Sequence, residues 1–134
     1  FFDEYVASRS LGGNFLPNAS PDGNGEMHPN FYRQTDSLKA WMSHSAESLN
    51  GAGPTPGARL SNVPLTTRGK RVWYAHLLPS FKGQVSVLTN KKPKSVTLLR
   101  TGEPILYEYA CGAVIFNLSS ADRTKTDDVV KIIF

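Results

Sequence analysis

Leu11-Gly12-Gly13-Asn14-Phe15-Leu16-Pro17-Asn18-Ala19-Ser20-Pro21-Asp22-Gly23-Asn24-Gly25 reads as a helix stop, a short strand and a tight polar loop. Gly12 and Gly13 can take the positive φ that ends a helix. Asn14–Ala19 carries the apolar pair Phe15 and Leu16 and reads as a strand, with Pro17 awkward in it because proline cannot donate to a ladder. Pro21-Asp22-Gly23 is turn chemistry: proline presets φ, aspartate bonds nearby backbone, and glycine accepts left-handed geometry. Before this stretch, Phe1–Ser10 reads as the last turns of a helix, with Phe2, Tyr5, Val6 and Arg9 on one face. After it, Asn30–Leu49 is the strongest helix signal. Pro29 suits the first helical position. Phe31, Thr35, Leu38, Met42, Ala46 and Leu49 form one stripe that Trp41 widens, and Asn50-Gly51 stops the helix. Helix, strand, loop, helix is the grammar of an α/β repeat.

The remainder follows another grammar. Gly51-Ala52-Gly53-Pro54-Thr55-Pro56-Gly57 can continue neither regular structure and reads as an extended joint. Beyond it, short apolar runs recur every eight to twelve residues with turn signals between them, the signature of a sandwich or barrel. Leu65-Thr66-Thr67 leads through Arg68-Gly69-Lys70 into Val72–Leu78, a hairpin. In the second strand Val72, Tyr74, His76 and Leu78 alternate with Trp73, Ala75 and Leu77. Both faces are largely apolar, so the strand is expected at the centre of a sheet. Gln84–Leu88, Ser95–Leu99, Ile105–Tyr109, Ala113–Leu118 and Val129–Phe134 complete a set of seven. Val130, Ile132 and Phe134 share a face of the last, opposite Lys131. The expected fold is mainly β with an α/β N-terminal segment: residues 1–51, a joint at 52–58, and an antiparallel two-sheet β-sandwich over 59–134.

Charge divides at the same joint. Of the net +4, residues 1–51 carry three basic against six acidic side chains, and residues 52–134 carry twelve against five. The basic half comes with no basic helix and no aromatic RNA-binding signature. Lys91, Lys92, Lys94 and the Arg68–Arg71 turn therefore read as a solvated β surface that blocks edge pairing, not as a nucleic-acid site. No apolar run approaches the length of a membrane span. The Phe1-Phe2 start, without Met and without a signal-peptide pattern, reads as the middle of a longer chain.

Few residues suggest chemistry. Cys111 is the only cysteine, which excludes an internal disulfide, and between two apolar runs it reads as a turn or core residue. His28 and His44 lack partners at ligand spacing and read as capping or surface residues. No residue pattern asks for a metal or another cofactor. Asp22 with Glu26, and Asp127 with Asp128, read as solvated loop carboxylates. Trp73, Tyr107 and Tyr109 read as core aromatics of the sheets, or, in the alternative, as the stacking platform of a stand-alone carbohydrate-binding module. Asn18-Ala19-Ser20 and Asn117-Leu118-Ser119 match the glycosylation pattern.

Two stretches carry a family likeness. Gly12–Gly25 resembles the stretch of the family 29 α-L-fucosidases that reads Gly-Gly-Asn, leucines, Asn-Ile-Gly-Pro and an Asp-Gly-rich turn. It lies at the last strand of their (β/α)8-like catalytic barrel. Lys94-Ser95-Val96-Thr97-Leu98-Leu99-Arg100-Thr101-Gly102-Glu103-Pro104-Ile105 is similar to a Ser-Val-Thr-Leu-Leu-Gly-x-Gly-Glu-Pro-Leu motif of the family's C-terminal sandwich. The helix, the joint and the remaining strands follow in the family's order.

The resemblance implies that residues 1–51 are the last strand and helix of the barrel and that the sandwich is accessory to it. It implies a retaining glycosidase acting on terminal α-L-fucose, chemistry that needs two carboxyl groups about 5 Å apart. In the family both lie upstream, so no catalytic residue is assigned in this chain. The implied partners are the catalytic barrel of the parent protein and, through it, a fucosylated glycan. The implied compartment is periplasmic, secreted or lysosomal. Pro17, Ala19 and Ser20 depart from the family's leucine, isoleucine and glycine. Barrel active sites form where strands end, so Asn18 and Ser20 are the two candidate substrate-side residues.

Overall fold

The computed structural model describes residues 1–134. The first helix, α1 (Phe2–Ser10), ends at Leu11. Of Gly12 and Gly13, only Gly12 takes positive φ, at 85°. The Gly12 N–H bonds the Arg9 carbonyl and the Gly13 N–H bonds the Ser8 carbonyl, the paired closure of a Schellman motif. Gly13 has a different reason to be glycine: a Cβ there would sit 3.3 Å from the Ser8 carbonyl oxygen.

The second helix, α2 (Pro29–Ser45), continues as a 3₁₀ turn over Ala46–Ser48. Pro29 is its first residue, and the His28 side chain caps it by accepting from the Asn30 N–H. The buried face is rotated from the expected stripe. Trp41, Ser45, Ser48 and Leu49 are buried, whereas Phe31 and Leu38 are half-exposed and Thr35 is exposed.

Seven strands follow: β1 (Leu65–Arg68), β2 (Val72–Leu77), β3 (Val85–Leu88), β4 (Ser95–Leu98), β5 (Tyr107–Ala110), β6 (Ala113–Phe116) and β7 (Asp128–Ile133). They form a four-stranded sheet in the order β1-β2-β7-β4 and a three-stranded sheet in the order β3-β6-β5. Every pairing is antiparallel. β5 turns into β6 through Cys111 and Gly112, at φ 52° and 71°, the two positive angles that a two-residue hairpin turn matching strand twist requires.

Ala75 and Leu77 of β2 and Val130 and Ile132 of β7 meet Val85, Val87, Val114 and Phe116 across the two sheets. The opposite faces of β2 and β7 are also covered. Tyr74 and Val129 pack with Val6 of α1, Trp41 of α2 and Leu49. The molecule is therefore a stack of helices, four-stranded sheet and three-stranded sheet.

The joint is tied to its neighbours rather than free. Gly53 and Thr67 exchange backbone bonds at 2.7 and 3.0 Å, and the Thr55 N–H reaches the Ser10 carbonyl at 2.8 Å. Arg9 adds a bond to the Ala52 carbonyl at 3.0 Å.

Candidate functional site

Asn14–Ala19, expected as a strand, pairs with nothing. It forms no ladder, and no backbone N–H or C=O from Asn14 to Pro21 takes a hydrogen bond from the rest of the chain. Both sheets leave it out, and a strand exists only with a partner. Its orientation is still fixed. Phe15 stacks on Tyr5 and meets Phe1 edge-on, with ring centroids 5.5 and 5.4 Å away. Leu16 points outward and is 85% exposed. The loop beyond is held by Asp22, whose carboxylate accepts from the Asn24 and Glu26 N–H groups.

This segment forms one wall of a groove of about 730 Å³ between α1 and α2. Phe15, Pro17, Asn18 and Ala19 line it on one side, with Phe31, Thr35 and Leu38 opposite. Asn18 is in the wall and Ser20 is not, so the two candidate residues are not brought together. Phe2 is not free either, because it lies against Trp41 at 5.6 Å.

A second cluster resembles catalytic machinery but is sealed. Thr66 Oγ1 lies 2.8 Å from His76 Nε2, and His76 Nδ1 lies 2.6 Å from Asp127 Oδ2. Hydroxyl, imidazole and carboxylate in line are the parts of a nucleophile relay. Here all three residues are 0–1% exposed, so no substrate reaches them. The Thr66 hydroxyl also donates to the Ser48 carbonyl at 2.6 Å, which leaves it an acceptor toward the ring. His76 Nε2 therefore faces the hydroxyl as the donor, and Nδ1 faces the Asp127 carboxylate. The cluster ties sheet to helices: Trp41 Nε1 donates to the Asp127 carbonyl at 2.7 Å.

Asp127 and Asp128 are thus buried, against the expectation of solvated loop carboxylates. Asp128 accepts from Thr124 and pairs with Arg123 at 3.0 Å, and Arg123 also caps the Leu77 and Leu78 carbonyls. These bonds offset the cost of taking the carboxylate out of water. The one signal in the sequence was that both acids directly precede an apolar strand.

No protein-family model matches the sequence, and no curated protein matches it. Solved structures do match the fold. α-L-Fucosidase isoenzyme 1 from Paenibacillus thiaminolyticus superposes with a TM-score of 0.82 at 22% identity, over 97% of this chain and 32% of its own. The Bacteroides thetaiotaomicron GH29 α-L-fucosidase, trapped as a covalent intermediate, gives 0.80 at 20% identity, over 97% and 30%. Thermotoga maritima α-fucosidase gives 0.76 at 15% identity, over 99% and 34%. The chain has the fold of part of an α-L-fucosidase. It spans about a third of the length of those enzymes.

Within this fucosidase-like fold the other candidate residues have structural work. The Trp73 ring packs on Phe134 at 4.7 Å against the core. The Tyr107 and Tyr109 hydroxyls donate to the Pro93 and Thr89 carbonyls at 2.9 and 3.1 Å. All three rings are half-buried and pack against the sandwich core. Cys111 is an exposed turn residue. His44 Nδ1 bonds the Ser45 hydroxyl at 2.7 Å. Partial burial, with Arg100 nearby, holds its imidazole below the ordinary 6.5 against the opposing pull of Asp128. Burial raises the Tyr74 phenol above its ordinary 10.0, although Arg68 pulls the other way. The Tyr74 hydroxyl has no hydrogen-bond partner. No helix is long and apolar enough to cross a membrane.

Proposed function

We propose that this chain is the C-terminal portion of a retaining α-L-fucosidase that removes terminal α-L-fucose from glycoconjugates. The observation that carries the reading is an oriented but unpaired extended segment, Asn14–Ala19, beside an apolar groove. It occurs in a chain whose fold accounts for about a third of the length of α-L-fucosidases. An unpaired strand with one apolar face has two backbone edges ready for neighbours. Residues 1–51 would supply the closing strand and helix of a catalytic barrel. Residues 52–58 are the joint, and 59–134 the accessory sandwich behind it. Nucleophile and acid/base lie on the rest of that barrel, the chain's principal partner, which also brings the fucosylated glycan. Asn18, in the groove wall, and Ser20, outside that wall but two residues further along, would border the sugar site where the segment meets the rest of the barrel. The setting is extracytoplasmic: secreted, periplasmic or lysosomal.

The test is hydrolysis of an aryl α-L-fucoside by the full-length protein, with the anomer of the first product read by NMR. Retention is expected, and the 134-residue chain alone should be inactive. Asn18→Ala should raise KM about three- to tenfold, the worth of one hydrogen bond. Turnover of some other glycoside with none of fucosides would overturn the proposal.

A further inference from the structure

The sandwich carries a second surface that the fucosidase reading does not use. At one end, Lys70 and Arg71 from the β1–β2 turn converge with Lys91, Lys92 and Lys94 from the β3–β4 loop around a cleft of about 580 Å³. Phe134 is the remaining lining residue, and no acidic side chain borders the cleft. All five cations are exposed and none is in an ion pair. Like charges gathered without acidic side chains among them repel, and such an arrangement focuses a positive potential outward.

The convergence is built into the fold. The end of β7 holds both segments, since the Phe134 N–H bonds the Arg71 carbonyl at 2.8 Å and the Lys94 N–H bonds the Ile133 carbonyl at 2.7 Å. The three-stranded sheet holds the lysine loop from the other side. Tyr107 and Tyr109 donate to the Pro93 and Thr89 carbonyls, and the Thr89 N–H bonds the Gly112 carbonyl at 2.9 Å. Edge protection accounts for lysines beside β4, an edge strand of its sheet. It can also account for cations at the turn that leaves β1, the other edge strand, but not for the meeting of the two groups around one cleft. Loops pinned in this way do not lose much freedom when a ligand arrives.

We propose that this cleft binds an anionic oligosaccharide, one carrying sulfate-ester or uronate groups. That the anions ride on a saccharide rests on the fucosidase reading; the anion site itself does not. Four of the five cations are lysines, compact point charges suited to anions at variable spacing rather than to a bidentate fork. The volume is that of a local ligand cleft, not a stripe along a duplex. No helix enters here, and Phe134, the one aromatic ring, is half-buried, so a platform for stacked bases is missing.

The test uses the full-length protein and four probes: dextran sulfate oligomers, unsulfated dextran of equal length, oligogalacturonate, and a single-stranded oligonucleotide matched in charge to the first. Binding of the sulfated or the uronate oligomer, and none of dextran, is expected, and which of the two binds identifies the anion. Lys91→Gln/Lys92→Gln/Lys94→Gln and, separately, Lys70→Gln/Arg71→Gln should each weaken it roughly tenfold, or about 1.4 kcal/mol. Lys39→Gln/Lys125→Gln, outside the cleft, should not weaken it. Hydrolysis of a small aryl fucoside should be unchanged in all variants, so failure here and failure of the fucosidase reading are told apart. Equal loss in the control variant, no binding of either anionic oligomer, or tighter binding of the oligonucleotide would overturn the proposal.

Discussion

The two faces of the four-stranded sheet are both buried, by different chemistry. Toward the second sheet the contact is dry, made by Leu77, Val130, Ile132 and their partners. Toward the helices it mixes Trp41 and Val129 with the Thr66–His76–Asp127 chain and the Lys131–Glu47 pair. A dry face specifies volume and pattern, and many apolar arrangements satisfy it. A hydrogen-bonded face specifies position. In this seating of the helices Thr66 and Trp41 donate to the Ser48 and Asp127 carbonyls, and His76 holds one Asp127 carboxylate oxygen while the other has no partner, so that face fixes residues 1–51 on the sandwich.

Breaking the polar face should have the largest effect. Asp127→Ala leaves His76 buried without its partner and is expected to cost about 3–5 kcal/mol in urea unfolding. Leu77→Ala opens a cavity in the dry face, costing about 2–5 kcal/mol, and in a Trp73→Phe background it should leave the near-UV circular dichroism of Trp41, and so the packing of the helices, intact. If the aspartate variant proves the milder of the two, the contrast between the faces is wrong.

Lys131→Met, at the half-exposed end of the polar face, should cost about 0.2–1 kcal/mol, and high salt should reduce the difference from the parent. The smallest effect is pH-dependent. The folded state holds the His44 imidazole below its unfolded 6.5. Its contribution is therefore whole above about pH 6.5 and is lost as pH falls from there through the lowered folded value. His44→Gln should flatten that part of the stability curve.

The sandwich was legible because its signals are local. Alternation in Val72–Leu78 and Val129–Phe134 marked strands that form over Val72–Leu77 and Asp128–Ile133, and two apolar faces in β2 marked its central place. Of the two roles open to His28, capping or surface, the structure shows the cap. The polar face was not legible, because its partners are far apart: Thr66 meets Ser48 18 residues away, His76 meets Asp127 51 away, and Trp41 meets Asp127 86 away. The rotated face of α2 has the same origin. Trp41 and Ser45 turn inward because the sheet lies there, while Phe31 and Leu38 turn to a groove that this chain leaves open. Asn14–Ala19 has the composition of a strand, but strand formation depends on a partner, and nothing in the chain pairs with it.

That segment supports the most direct measurement. Amide hydrogen exchange at Phe15, Leu16, Asn18 and Ala19 compares the 134-residue chain with the full-length protein. Proline at position 17 has no amide to follow. Fast exchange in the chain and strong protection in the full-length protein would mean that the segment pairs as a barrel strand. Fast exchange in both would contradict the account, because the groove beside it would then face solvent in the whole protein.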